Sequence, residues 1–249
     1  MTKLAIVTGT SSGIGRAVAL RLLDHDWDVI GVARRDAAIR HARYRHLALD
    51  VGDLTALTAT FERDVAPLVS DPARTRIGLV NNAAVIGRLR TVDATDAAAL
   101  RTTYAVNVVA PVWLTGFVAR HTPRTAALRI LDVSSGAAIR PLPGLGEYAG
   151  TKAALRMMSM AAAADFQSAP LNGRMTRDAA VLSYSPGTVD TPMQVEARGQ
   201  RPDDFPAQTW FQERHDTGGL HAPELPAAEI VEFLESAKAL AFAERKFGE

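Results

Sequence analysis

Residues 8–15 read "TGTSSGIG", and this glycine-rich stretch decides the fold. It directly follows the apolar strand-like run "KLAIVT" and leads into the helical pattern "GRAVALRLL". Glycines let a backbone approach a pyrophosphate closely, and a helix N-terminus offers free N–H groups and a positive dipole end. We therefore expect a dinucleotide to bind here. The residues predicted to contact it are Gly9, Ser11, Ser12, Gly13, Ile14 and Gly15.

Beyond this loop, short β-branched runs alternate with longer stretches of helical period. The predicted strands are 3–8, 28–33, 46–50, 76–81, 128–133 and 179–184. The predicted helices are 13–25, 36–43, 53–69, two between 95 and 122, and 147–167. Because the strands are near-continuous apolar runs, helices should cover both faces of a parallel sheet. The order predicts an α/β fold with a doubly wound parallel sheet, one domain over 1–249, with a Pro-rich substrate flap at about 192–226.

The composition excludes several classes of protein. The 249 residues are 47% hydrophobic and 22% charged, carry a net charge of +1 and include no cysteine. No block of like charge indicates a nucleic acid or an anionic membrane as partner, and no apolar run approaches the roughly 18 residues of a membrane span. The histidines lack ligand spacing, so we expect no metal site. These features predict a cytoplasmic protein that acts on a small molecule.

A second interpretation of the glycine loop is open. Residues 9–13, "GTSSG", also fit the GxSxG nucleophile elbow of hydrolases. That elbow normally follows several strands and is accompanied by an HGGG-type oxyanion loop, which this chain lacks before it. The dinucleotide interpretation is therefore favoured over a hydrolase and over an ordinary tight turn.

The end of the second predicted strand indicates which dinucleotide binds. Arg34 and Arg35 stand about twenty positions after the glycines, where an acidic residue would bind the ribose of NAD. Guanidinium groups bind a 2′-phosphate, which an acidic side chain would repel. The pair favours NADP(H) over NAD(H), and the alternative is a solvated surface pair. Asp50 and Val51, at the end of the third predicted strand, would lie beside the adenine.

Tyr148 and Lys152 stand four residues apart on a predicted helix and therefore share one face. An unperturbed tyrosine has a pKa near 10, and a nearby ammonium lowers it. The chain contains 24 arginines and only 4 lysines, yet it has a lysine here, where a compact charge suits a ribose and a phenolate. The pair indicates a proton-transfer site, and the alternative is a structural pair on a helix surface.

Taken together, these motifs resemble the short-chain dehydrogenases/reductases. The matching segments, in family order, are "TGTSSGIG" at 8–15, "LDV" at 49–51, "NNAA" at 81–84, "VN" at 106–107, "SS" at 134–135, "YAGTK" at 148–152 and "SPGTVDT" at 185–191. The resemblance implies a Rossmann-type fold and is nearest to the branch that contains sepiapterin reductase and bacterial benzil reductases. It implies an NADPH-dependent reductase of a ketone or diketone. The alternatives are another alcohol dehydrogenase or 3-oxoacyl reductase of this family, or a non-catalytic dinucleotide sensor.

The resemblance also implies roles for single residues. Tyr148 would donate the proton to the carbonyl oxygen, while Lys152 would hold the nicotinamide ribose and lower the Tyr148 pKa. Asn107 would support a water relay to Lys152. The family's catalytic serine lies thirteen residues before its tyrosine, which selects Ser135 to polarise the substrate oxygen and leaves Ser134 as a structural residue.

Further contacts and a subunit interface follow from the same resemblance. The residues that would line the nicotinamide site are Asn81, Ala83, Pro186, Gly187, Val189 and Thr191. The residues expected in the substrate pocket, whose mainly apolar character favours an apolar guest, are Leu142, Leu145, Met193 and Trp210. Helices 147–167 and 108–122 would build a homodimer or homotetramer interface. Met157, Met158 and Met160 on the first of these helices are expected both to pack in the core and to serve that interface.

Overall fold

The computed structural model describes residues 2–168 and 178–249, and its centre is a seven-stranded parallel sheet with the order β3-β2-β1-β4-β5-β6-β7. The strands are β1 Thr2–Thr8, β2 Asp28–Ala33, β3 Tyr44–Ala48, β4 Arg74–Asn81, β5 Ala127–Val133, β6 Ala179–Ser185 and β7 Phe242–Lys246. The helices are α1 Gly13–Asp24, α2 Leu54–Thr60, α3 Ala66–Val69, α4 Ala97–Tyr104, α5 Ala110–His121, α6 Gly146–Gln167, α7 Pro192–Arg198, α8 Gln208–Asp216 and α9 Glu224–Glu235. The predicted α/β class, doubly wound parallel sheet and single domain are confirmed.

Helices cover both faces of the sheet, as the apolar strands require. On one face, α1 and α9 bury side chains such as Leu22 and Ile230 in one apolar core. On the other face, α2, α5 and their neighbours bury Phe61 and Phe117 in a second core. The chain crosses from one side of β1 to the other between β3 and β4. The loops after β1 and β4 therefore diverge and leave a crevice at the carboxyl edge of the sheet, where doubly wound folds bind ligands.

A third apolar cluster lies beside this crevice. It includes Leu145 at the start of α6 together with Phe205 and Phe211 from the segment 192–226. That segment contains α7, α8 and the first residues of α9. Its function as a substrate flap stays a prediction.

The predicted helix 36–43 is wrong. This segment is irregular, and Ala38 has a left-handed φ of +52°. The Asp36 carboxylate accepts the Ala38 N–H at 3.0 Å and so closes a turn. Ala37 and Ile39 are buried in the core that contains α1. Alternate burial of this kind fits an extended segment and not a helix, so tertiary packing overrides the helix propensity of "DAAIR".

Two strand predictions and one packing prediction also need correction. β3 begins and ends two residues before the predicted 46–50, and β7 at the sheet edge was not predicted. Met157, Met158 and Met160 on α6 are exposed and do not pack in the core. The proposed interface on this helix stays a prediction.

One helical stretch, Ala97–His121, is long and apolar enough by length and composition to cross a membrane. Its Leu114, Phe117 and Val118 side chains are buried in the core against the sheet. A core helix of a soluble protein meets the same criterion, and this stretch packs as such a helix does.

Candidate active site

Two glycines in left-handed conformation shape the loop after β1. Gly9 has a φ of +77° and Gly13 a φ of +54°. A Cβ on Gly9 would lie 2.7 Å from the Asn82 side-chain nitrogen, so this loop approaches the segment after β4 very closely. Ser12, the residue before α1, makes no side-chain hydrogen bond to the helix. The first N–H groups of α1 are therefore left for a ligand at the crevice.

Thr8, the last residue of β1, ties the glycine loop to the segment after β4. Its hydroxyl accepts the N–H groups of Asn82 and Ala83 at 3.0 and 2.9 Å. The Asn82 side chain donates in return to the Thr8 carbonyl at 2.9 Å. The two walls of the crevice are therefore fixed to each other.

Asn107 lies fully buried in the π-helical turn Ala105–Val109 between α4 and α5. Its side-chain nitrogen donates to the Val85 carbonyl at 2.8 Å and to the Thr151 hydroxyl at 3.0 Å. Its oxygen accepts the Val85 N–H at 2.9 Å. The side chain of Asn107 thus anchors α6 to the segment after β4, and its part in a water relay stays a prediction.

Ser135 and Tyr148 meet at the carboxyl end of β5. The Ser135 hydroxyl accepts the Ala137 N–H at 3.1 Å and forms a hydrogen bond with the Tyr148 phenol. Tyr148 lies in the first turn of α6 and packs against the third apolar cluster. Burial raises the pKa of Tyr148 to about 12, and the hydrogen bond with Ser135 acts in the opposite direction. Ser134 is buried, and its backbone N–H donates to a β6 carbonyl at 2.7 Å.

Lys152 lies one turn after Tyr148 and is only 2% exposed. Its Nζ is 5.5 Å from the centre of the Tyr148 ring and donates a hydrogen bond to the Val133 carbonyl at 2.7 Å. Burial lowers the pKa of Lys152 to about 8, and the Asp132 carboxylate opposes this shift. Burial therefore dominates the Tyr148 pKa while the Lys152 ammonium bonds a strand carbonyl, and the expected lowering of that pKa by Lys152 stays a prediction.

These residues face a cavity of about 940 Å³ at the carboxyl edge of the sheet. The predicted dinucleotide contacts on its wall are Gly9, Ser11, Ser12, Gly13, Ile14, Arg34, Arg35, Asp50, Val51, Ala83, Tyr148, Lys152, Pro186, Gly187, Val189 and Thr191. The other predicted residues on its wall are Ser135, Leu142, Leu145, Met193 and Trp210. The structure thus brings the predicted cofactor, catalytic and substrate residues around one space.

Three predicted site residues lie behind this wall. Gly15 is buried in α1, where a Cβ would overlap the Asn82 amide. Asn81 is buried and donates from its side chain to Asp132, so Asn82 lines the cavity in its place. Asn107 is engaged with backbone and α6, as described above. None of the three lines the cavity, and their roles toward a ligand stay predictions.

Sequence reasoning missed several wall residues. Ile86, Arg140, Arg214 and His221 all line the cavity. Three of these four lie in segments without regular structure, and Arg214 is on α8. No sequence motif marks these residues, and they are recognised only because the fold brings them close to Trp210 and the other pocket residues.

The dinucleotide end of the cavity carries two arginines. Arg34 lies 3.7 Å from the Asp50 carboxylate. Arg35 is exposed and has no carboxylate within ion-pair distance in the part of the chain that the structure describes. Phosphates require N–H donors and positive charge, and the open N-terminus of α1 supplies the first while these arginines supply the second. The residues present therefore fit a nicotinamide dinucleotide.

Comparisons with known proteins agree with this geometry. The family model for short chain dehydrogenases matches residues 3–202. Benzil reductase ((S)-benzoin forming) of Bacillus cereus is 28% identical over 242 residues, covering 94% of each chain. Sepiapterin reductase of Bos taurus is 30% identical over 213 residues, covering 78% of this chain and 76% of the relative. The crystal structure of the KRED1-Pglu enzyme superposes with a TM-score of 0.82 at 26% identity, covering 97% of this chain and 100% of that one.

Proposed function

Because this chain belongs to the short chain dehydrogenase family, we propose that it is an NADPH-dependent reductase of small ketones or diketones, with Tyr148 as proton donor. The chain is an oxidoreductase that acts on carbonyl or alcohol groups, and its fold binds a nicotinamide dinucleotide. The observation that carries the proposal is the meeting of Ser135, Tyr148 and Lys152 on one cavity wall. A dinucleotide sensor would require neither the Ser135 hydroxyl nor the Tyr148 proton, which act on a substrate carbonyl.

The chemistry divides between the cofactor and the chain. A bound nicotinamide supplies the hydride for the carbonyl carbon. Tyr148 gives its proton to the carbonyl oxygen, and its pKa of about 12 keeps that proton in place at neutral pH. The Ser135 hydroxyl, already hydrogen-bonded to the phenol, orients the same oxygen. The buried ammonium of Lys152 contributes positive charge beside the oxygen on which negative charge develops.

The choice of NADPH rests on Arg34 and Arg35 at the far end of the cavity. Both lie on its wall, at the end of β2. A 2′-phosphate there would meet at least one guanidinium, that of Arg35, which has no carboxylate partner among the residues that the structure describes. This geometry supports NADPH, because arginines and not an acidic residue stand directly after β2, where NADH would need a partner for its free ribose hydroxyls.

The substrate class follows from the apolar side chains near Tyr148. Leu142, Leu145 and Met193 line the cavity beside Trp210, whose ring contacts Phe211 edge-on at 4.9 Å. Such a wall suits an aryl or alkyl group next to the reacting carbonyl. The benzil reductase relatives act, by their name, on an aromatic diketone, which supports the same class for this chain.

The test is NADPH consumption with a panel of aryl and alkyl ketones and diketones, for the wild type and for Tyr148→Phe. We expect the variant to lose at least ~10²-fold in kcat, because general acid catalysis contributes that much. NADPH binding, followed by the fluorescence of Trp210 in the cavity, should change little. Full turnover by Tyr148→Phe would overturn the mechanism.

A pair of serine variants separates the two adjacent hydroxyls. Ser135→Ala removes the hydroxyl that contacts Tyr148, and Ser134→Ala removes the neighbour that lies against β6. We expect the first to lower kcat/KM much more than the second. Equal losses would contradict the assignment of Ser135. No NADPH consumption with any ketone, together with no NADPH binding, would refute the proposed function altogether.

A further inference from the structure

Asp132 is a buried carboxylate directly behind the proposed site. Asp132 lies on β5 and is 3% exposed. The next residue is Val133, whose carbonyl accepts a hydrogen bond from the Lys152 ammonium. An isolated charge in such a place is costly, and a buried carboxylate persists only when it is hydrogen-bonded or paired with a cation. The contacts of Asp132 therefore need an explanation.

Each carboxylate oxygen of Asp132 receives one donor. The Asn81 side-chain nitrogen donates to Oδ1 at 2.7 Å, and the Ser159 hydroxyl donates to Oδ2 at 2.6 Å. Both donors favour the ionised carboxylate, while burial acts against it and raises the Asp132 pKa. Lys152, on the same helix as Ser159, also favours the ionised form of Asp132 through its positive charge.

The two contacts also join three elements. Asn81 ends β4, Asp132 lies near the end of β5, and Ser159 lies on α6, seven residues and therefore two turns after Lys152. α6 carries both Tyr148 and Lys152. A carboxylate held between β4 and Ser159 thus fixes the height of this helix above the sheet and places negative charge below its lysine.

The surroundings of Lys152 leave few other groups that could set its charge. The titratable side chains that face it in the described part of the chain are Asp132 on β5 and Tyr148 on its own helix. Asn81 on β4 and Ser183 on β6, the neighbours of Asp132 in the sheet, are neutral. Among the described residues, Asp132 is therefore the group that can supply a negative charge opposite the Lys152 ammonium.

We propose that Asp132 is a positioning residue that keeps Lys152 protonated and fixes α6 against the sheet. The inference rests on the proposed function, because it acts through Lys152. Removing the carboxylate should lower the pKa of Lys152 by roughly 1, since a neighbouring opposite charge favours the ionised form by at least that much. The pH above which kcat/KM falls should move down by the same amount.

The test reads Lys152 without turnover. The chain contains only four lysines, so ε-¹³C-labelled lysine gives few signals, and the signal of Lys152 is assigned by its loss in Lys152→Met. The titration compares the wild type, Asp132→Asn and Ser159→Ala, each without ligand. Asp132→Ser, which is smaller and can still accept from Asn81, replaces Asp132→Asn if that variant does not fold.

We expect a lower Lys152 pKa in the Asp132 variant and a smaller decrease in Ser159→Ala, which keeps the carboxylate but removes one of the two donors that favour its ionised form. If Asp132 acted only as a structural hydrogen-bond acceptor, both variants would have a lower melting temperature and the Lys152 pKa would not change. That result would overturn the inference. Failure of the wild type to reduce any ketone would refute the proposed function alone, because the titration of Lys152 does not depend on activity.

Discussion

Replacing Arg35 by alanine should reduce the affinity for NADPH much more than that for NADH. Arg35 lies on the cavity wall just after β2 and has no carboxylate within ion-pair distance in the described part of the chain. Its neighbour Arg34 is already close to Asp50, at 3.7 Å, with 69% of its side chain exposed. Of the two arginines, Arg35 therefore has the more available charge for a 2′-phosphate.

The magnitude follows from the exposure of the site. A hydrogen bond to a charged group contributes about 1.5–3 kcal/mol, and solvent screening at an exposed side chain moves the value of Arg35 to the lower end. A loss of about 1.4 kcal/mol corresponds to a tenfold change in binding. We expect Arg35→Ala to raise the KM for NADPH about tenfold. Arg34→Ala should raise it roughly threefold, because Arg34 is already paired with Asp50 and an ion pair at such an exposed side chain contributes at most about 1 kcal/mol.

The assay measures KM and kcat for NADPH and NADH with one ketone, at low and at high salt. Arg43→Ala is the control, since Arg43 belongs to the same connection but pairs with Asp26 at 2.6 Å and does not line the cavity. The difference between wild type and Arg35→Ala should shrink at high salt, because the Debye length falls from about 10 Å at 0.1 M to about 3 Å at 1 M. Equal losses for both cofactors would refute the assignment of the 2′-phosphate site.

Two further pairs of variants test the packing around the site. Gly15→Ala should destabilise the protein by about 1–3 kcal/mol, because the added Cβ would overlap the carbonyl group of Gly9. Gly146→Ala, whose Cβ would meet no atom within 4 Å, should be neutral or slightly stabilising. Urea unfolding measures both free energies, and equal effects would contradict the packing argument. Arg129 is fully buried and forms a salt bridge with Asp178 at 2.7 Å. Asp178→Ala should lower the free energy of unfolding by about 3 kcal/mol because it leaves a buried cation unpaired, and Arg129→Met should lower it less. The reverse order in urea unfolding would contradict this expectation.

The residues that sequence reasoning found are those whose signal is local. Tyr148 and Lys152 are one turn apart on a single helix, and Ser135 comes two residues after the apolar strand β5, at the spacing that the family motif implies. The glycine loop is likewise one short segment after β1. Family motifs record such short-range arrangements well, which is why they could be predicted before the structure.

The residues that were missed depend on distant parts of the chain. Asp132 reads as one polar position in an apolar strand, and its partners Asn81 and Ser159 lie 51 residues before it and 27 residues after it. β7 was missed for a related reason. The last three residues of β7 are exposed and charged. Charged side chains prevent an edge strand from pairing with another chain, but they lack the apolar residues by which a strand is recognised in a sequence. The segment 36–43 has the composition of a helix, and only the burial of Ala37 and Ile39 against α1 decides its extended course.

This division also explains why the reaction class is clearer than the substrate. The matched family region, residues 3–202, contains the glycine loop, Ser135, Tyr148 and Lys152. α8, with Trp210 and Arg214 on the cavity wall, lies after residue 202. The proposed proton-transfer residues thus lie in the shared part of the fold, whereas one wall of the proposed substrate pocket comes from a segment outside it. Changes on α8 should therefore alter KM and the choice of ketone more than kcat, because they would contact the substrate without touching the proposed proton donor, Tyr148.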